Sequence, residues 1–260
     1  MFLIHGGTQR YKPATNPAKR EGDMLTDLSL SAADRTCVSK LAVSQRNQTT
    51  RFLILGPTQY ALDLREVLED IQGVRVEGFI ECEDRERCEI QHGGLPVHWF
   101  EDLDSMTGTH VATCALGTTH RSQYISKVAS RGMRFATAVH PSARVSSSTT
   151  VGEGSMIDVG CIVAGHSTLG HHVRLKRGSL LGHHTRLGDF VSVQPGANIA
   201  GRCRIGQATY IGMSAVVLDG IKVGSHCVLG AGAVVTKDVP DRVQVVGVPA
   251  RIVKENISGK

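Results

Sequence analysis

Five histidines, His166, His171, His172, His183 and His184, fall within nineteen residues of a 260-residue chain that holds 12 in all. An imidazole with its ordinary pKa of about 6.5 can take a proton from an attacking amine or hydroxyl near neutral pH, and its neutral form can ligate a metal. The cluster therefore fits general-base catalysis, a zinc site, or the plainer alternative of polar side chains on a solvent-facing surface, their default location. A zinc site needs three or four ligands in one place. His166 and His171 are five residues apart, and His166 and His184 are eighteen apart, so the choice depends on how the backbone carries these spacings.

The backbone around the cluster has a strict period of six. An aliphatic residue recurs at Val145, Val151, Ile157, Val163, Leu169, Leu175, Leu181, Leu187, Val193, Ile199, Ile205, Ile211, Val217, Val223, Leu229 and Val235 without a break. Two residues before each stands a small or β-branched side chain, including Cys161, Cys203 and Cys227, which reads as core filling. Glycine often follows the aliphatic residue, as at Gly152, Gly170, Gly182 and Gly188, where a side chain would obstruct the turn of the backbone. A period of six suits neither an α-helix nor a flat sheet. It suits short strands separated by corners in a parallel β-helix, each hexad forming one side of a coil.

Ahead of the hexads the pattern is mixed. Phe52-Leu53-Ile54-Leu55 is an apolar run stopped by Gly56-Pro57, and Ala61, Leu64, Val67 and Leu68 follow at helical spacing, which makes a β-turn-α unit. Strands at Val74–Ile80 and Val111–Leu116, a helix near Arg121–Ser130 and the run Phe135-Ala136-Thr137 complete an α/β domain with a parallel sheet. Ligands on such sheets lie beyond the carboxyl ends of the strands. The boundaries are residues 1–50 as a mobile extension or a small irregular appendage, 51–138 as the α/β domain, 139–240 as the β-helix and 241–260 as a C-terminal tail.

Composition narrows the field. No apolar run reaches the roughly 18–20 residues of a membrane span, and the N-terminus lacks the apolar core of a secretory signal, so a cytoplasmic protein is expected. Seven cysteines without CxxC spacing suggest neither a disulfide framework nor a zinc cage. The formal charge of +5 is dispersed, which speaks against nucleic acid and suffices for a small anionic partner.

The run of hexads resembles the hexapeptide-repeat proteins, whose coils have three sides, so that positions eighteen apart stack on successive coils. Residues 51–254 as a whole resemble the bacterial sugar acetyltransferases that modify amino sugars of surface glycans, a group of nucleotide-sugar N-acetyltransferases and related sialic acid O-acetyltransferases. The markers are the β-turn-α unit, His140-Pro141-Ser142-Ala143, the hexads, Gly230-Ala231-Gly232-Ala233-Val234-Val235 and Gly247-Val248-Pro249-Ala250-Arg251. The resemblance implies a Rossmann-like N-terminal domain that binds the acceptor, and a left-handed parallel β-helix. It also implies a homotrimer, with acetyl-CoA or another acyl-CoA as co-substrate held between neighbouring subunits and no metal.

Within Ser179–Asp189 the motif places the general base at His183. By the same resemblance the Gly201 N–H, eighteen residues on, faces the thioester oxygen, and backbone groups of Met213 and Ala231 contact the pantetheine arm. Gly56, Thr58, Tyr60, Glu81, Gly117 and Thr118 stand at the acceptor-binding turns. His184 replaces a residue that is usually acidic and orients the base, so either another acid such as Asp189 or Asp158 assists or the base is weaker. Lys176 replaces a common Asn. Tyr60 stands where His is common, and Pro57 removes a backbone donor from the nucleotide-binding turn. The expected activity is acyl transfer from CoA to an amino group of a nucleotide-linked sugar, or to a hydroxyl. The alternatives are a non-catalytic hexapeptide-repeat scaffold and a zinc-dependent lyase of the carbonic anhydrase type.

Overall fold

The computed structural model describes residues 49–260 and the backbone of a two-residue strand, β1 (Thr36–Cys37). The expected N-terminal extension otherwise lies outside the described residues. Residues 49–260 belong to one compact unit.

The α/β layer begins at β2 (Thr50–Leu55), whose residues Phe52, Leu53, Ile54 and Leu55 are all buried, as a strand covered on both faces requires. Helix α1 (Gln59–Glu69) turns Ala61, Leu64 and Leu68 inward at the spacing of one helical face. Then follow β3 (Val74–Glu81), the short β4 (Val97–Trp99), β5 (His110–Cys114) and helix α2 (Ser122–Ala129). The four strands form a parallel sheet in the order β4-β3-β2-β5. The order reverses between β2 and β5, the position beyond whose strand ends the ligands of such sheets lie, and Gly56 and Gly117 follow Leu55 and Cys114 there. Two expectations change here. Strand β4 was not anticipated, because Pro96 and His98 interrupt its apolar pattern, and Phe135 contributes only an isolated bridge to Ala112 rather than a strand.

From Ala138 the chain winds through two-residue strands that stack into three parallel sheets, one per side of a triangular coil. The registers run in steps of eighteen: Val145, Val163, Leu181, Ile199, Val217 and Val235 on one side, and Val151, Leu169, Leu187, Ile205 and Val223 on the next. Fifteen of the sixteen repeating aliphatics are buried, and Val145 is partly buried against them. These parallel sheets and the hexad pattern fit a left-handed β-helix.

The polar residues two before the aliphatics are more than filler. Thr149, Ser155, Ser167, Thr185 and Thr209 each donate a hydroxyl to the carbonyl fifteen residues on, at 2.8–3.0 Å. Ser155, Ser167, Thr185 and Thr209 also accept an N–H from the residue eighteen on. Buried corner amides and carbonyls thus find partners across coils. The glycines after the aliphatics serve close approach: a Cβ on Gly182 would lie 2.4 Å from the backbone of Ala200 and Gly201.

The sheet on the third side continues past residue 240. Gln244–Val246 extends it and Arg251–Lys254 closes it antiparallel, so the stretch expected to be a tail holds two strands. At the other end β1 caps a different side, antiparallel to Thr150–Val151. No helix among the described residues is long and apolar enough to cross a membrane.

The two layers are joined by a buried arginine. Arg121, fully buried at the head of α2, donates to the carbonyls of Thr118, His172, Phe190 and Val191 and to the Ser192 hydroxyl. Burial, and then the neighbouring Arg174, lowers its pKa from 12.5 to about 9.

Candidate active site

His183 and His184 occupy an exposed corner between the Leu180–Leu181 and Arg186–Leu187 strands. His184 takes a left-handed conformation at φ 58°, the local bend that turns the corner. The two Nδ1 atoms lie 3.1 Å apart, so one ring donates to the other and each fixes its neighbour's orientation.

Gly201 stacks one coil above. A Cβ built on it would come within 2.9 Å of Cε1 and Nε2 of His183, and Arg202 N–H donates to His183 O at 2.8 Å. The Gly201 N–H has no hydrogen-bond partner among the described residues. A free donor beside an imidazole is the arrangement that can stabilise an oxyanion while the base takes a proton.

Neither acid expected to assist the imidazole is in place. Asp189 Oδ1 accepts the His171 N–H at a different corner, and Asp158 Oδ1 accepts the N–H of Val159 on the third. The acid in the histidine's column is Asp219, with Oδ1 3.1 Å from where a Gly201 Cβ would stand, and it is paired with Arg202. A second step of eighteen from position 201 would have found it.

His166 and His184 stack with ring centroids 4.9 Å apart, as their spacing implies. Among the described residues, no group of three or more His, Cys, Asp or Glu is placed to hold a metal ion. His172 turns inward instead, its ring parallel to Phe190 at 5.2 Å and edge-on to Phe135 at 5.3 Å. Burial, and then Arg121, lowers its pKa from 6.5 to about 4.

Met213, exposed, and Ala231 share another corner, where Gly232 N–H donates to Met213 O. One whole side of the triangle, carrying Asn198–Ile199 and Val216–Val217, separates that corner from Gly201. One chain therefore does not bring Gly201 together with Met213 and Ala231.

The residues expected to bind the acceptor stand at or just after the carboxyl ends of the parallel strands. Gly56, at φ +89°, passes under Leu116, whose Cδ2 a Cβ would meet at 2.5 Å. Thr58 Oγ1 is buried with no partner among the described residues. Glu81, 5% exposed, spends Oε1 on the Cys82 and Glu83 N–H groups and Oε2 on Arg87, so it shapes its own turn.

Tyr60 lies against the β-helix, its ring 3.8 Å from Lys176 Nζ and 5.0 Å from the Arg174 guanidinium carbon. Burial, and then Arg174, lowers the Lys176 pKa from 10.5 to about 8. The Thr118 hydroxyl accepts from His120 N–H, capping the helical turn that leads into α2. Arg121 and Arg174 escaped the sequence reading because nothing local distinguishes a buried arginine from a surface one.

Comparison with known proteins agrees with this architecture. The family described as bacterial transferase hexapeptide (six repeats) matches residues 202–237. A variant of perosamine N-acetyltransferase from Caulobacter crescentus, in complex with CoA and GDP-perosamine, superposes with a TM-score of 0.73 at 28% identity. The match covers 78% of this chain and 97% of that one. The acetyltransferase domain of PglB from Neisseria gonorrhoeae FA1090, in complex with acetyl coenzyme A, gives 0.72 at 28% identity over 79% and 100%. WeeI from Acinetobacter baumannii AYE shares the fold, with a TM-score of 0.70 at 24% identity over 79% and 100%. No curated protein sequence matches the chain. In its repeats and in its two-layer plan, the chain matches the hexapeptide-repeat sugar N-acetyltransferases.

Proposed function

We propose that this protein transfers an acetyl group from acetyl-CoA to the amino group of a nucleotide-linked sugar, with His183 as general base and the Gly201 N–H as oxyanion donor. The observation that carries this reading is the close approach of Gly201 to the His183 ring, with the Gly201 N–H lacking a hydrogen-bond partner among the described residues, in a fold shared with enzymes solved with CoA and GDP-perosamine. The substrate amine loses its proton to His183 as it attacks the thioester carbonyl. Negative charge then gathers on the carbonyl oxygen facing Gly201, and collapse of the tetrahedral species expels the CoA thiolate. His184 orients the base by hydrogen bonding, in place of a carboxylate.

The α/β layer serves as a Rossmann-like acceptor module, its ligand lying at the strand-order reversal by Gly56, Gly117 and Thr118. Tyr60 and Lys176 sit at the coil corner of residues 176–179, and His183 at the next. A homotrimer in which one subunit's acceptor module faces its neighbour's histidine accounts for that separation. It also brings Met213 and Ala231 of one subunit toward Gly201 of the next. A cytoplasmic location fits substrates of this kind.

Thiol release from acetyl-CoA, assayed against nucleotide-linked amino sugars, their hydroxyl counterparts and free amino sugars, tests the reading. Release that requires a nucleotide-linked amine is expected. No release with any acceptor, in protein that binds acetyl-CoA, would instead favour a scaffold.

A further inference from the structure

The turn after β5 already holds an oxygen. Thr119 N–H donates to the main-chain oxygen of Lys260 at 2.7 Å, and the Thr118 and Thr119 hydroxyls reach the same atom at 2.8 and 3.0 Å. Three donors converging on one oxygen at the head of the helical stretch Thr119–Ala129 make an arrangement suited to an oxyanion.

The neighbouring groups point to an anion independently. Arg174 is 4% exposed and donates through Nη1 to Leu116 O in this same turn, while its Nη2 is buried with no partner among the described residues. The buried Thr58 hydroxyl on the facing turn is also without a partner among them. Lys176 and Arg174 share the Tyr60 ring, and three cations, Arg174, Arg177 and Lys260, bear on Lys176 against the single acid Asp158. Positive charge and unused donors are thus concentrated where the sheet order reverses.

The segment that fills the seat also returns a bond to it, Lys260 N–H donating to Thr119 Oγ1 at 2.8 Å, and Ser258 Oγ lies 3.5 Å from His120 Nε2. Ile257 N–H donates to Arg242 O at 3.0 Å, and Lys260 Nζ reaches Tyr210 OH at 2.9 Å. Gly259, at φ +95°, lets the backbone lie so close that a Cβ would fall 2.2 Å from Thr119 Oγ1. All of Arg251–Lys254, just before this segment, is exposed.

We propose that the Thr118–Thr119 turn, with Arg174 and Lys176 beside it, seats the diphosphate of a nucleotide ligand, and that Ile257–Lys260 occupy this seat in competition with it. The ligand's phosphate oxygens replace the Lys260 oxygen and take up the free Arg174 Nη2, and the displaced segment swings off the turn. The proposal rests on the α/β layer being the acceptor module.

Calorimetry with UDP and GDP, on the full chain and on two variants that loosen the segment while keeping every residue of the seat, tests it. Gly259→Ala places a methyl against Thr119, and Ile257→Pro removes the donor that anchors the segment to Arg242. If the seat is free in about a tenth of molecules, each variant tightens the better-bound nucleotide by about tenfold, whereas Thr119→Val weakens it. If Ile257→Pro does not fold, Gly259→Ala decides alone. Equal affinities in the wild type and the loosened variants would overturn the competition, and no binding of either nucleotide by any form would overturn the seat. Nucleotide binding that tightens as stated, without acetyl transfer to any acceptor, would sink the enzymatic reading and leave this one standing.

Discussion

At the scale of single residues, Lys176 has the environment with the clearest consequence. Its ammonium is half-buried among cations, and its pKa falls from 10.5 to about 8. The unfolded chain therefore holds this proton between about pH 8 and 10.5 while the folded chain has released it. Stability gains its Lys176 contribution as the pH rises through that window and loses it on return to neutral pH. Urea unfolding at pH 7.5 and 10 measures this: Lys176→Met reduces the rise relative to the wild type. The contact of His183 with Gly201 was legible in the sequence because a stack of identical coils turns a spacing of eighteen into contact. Asp219 follows by the same arithmetic, because acids in the histidine's column lie at multiples of eighteen from it and not near it along the chain. Asp189 was misplaced for the same reason: six residues in sequence are a full side of the triangle away in space.

At the scale of elements, the hexads were readable in full, since each buries one aliphatic and the period admits no other regular structure. The junction between the layers was not readable. It depends on Arg121, whose five hydrogen-bond acceptors come from residues 118, 172, 190, 191 and 192, brought together only by the fold. Arg121→Met retains the bulk and leaves buried carbonyls unpaired, which costs roughly 1–3 kcal/mol per orphaned group before relaxation. The expected result is a melting temperature several degrees lower, with nucleotide binding weakened because α2 and the Thr118 turn lose their anchor on the β-helix. Differential scanning calorimetry, with and without UDP or GDP, measures both effects. Strand β4 and the strands after residue 240 were missed where proline and glycine break a pattern that tertiary pairing nevertheless completes.

At the scale of the whole molecule, Tyr60 and His183 lie at successive corners of the same prism, so the proposed reaction needs a partner chain to unite them. Coexpression of Tyr60→Ala and His183→Ala chains follows from this. Each homo-oligomer is impaired, whereas random mixing makes about a quarter of the seams intact on both sides and restores about that fraction of activity. Mixed particles with no more activity than the parents would place the whole site within one chain.

The most direct test of the central claim is kcat/KM for acetyl transfer by His183→Ala beside the wild type, with acetyl-CoA affinity measured on the same preparations. Loss of a general base predicts a fall of about 10²–10⁴ in kcat/KM with acetyl-CoA affinity and oligomeric state unchanged. A variant that turns over within about twofold of the wild type would contradict the assignment of His183 as the base.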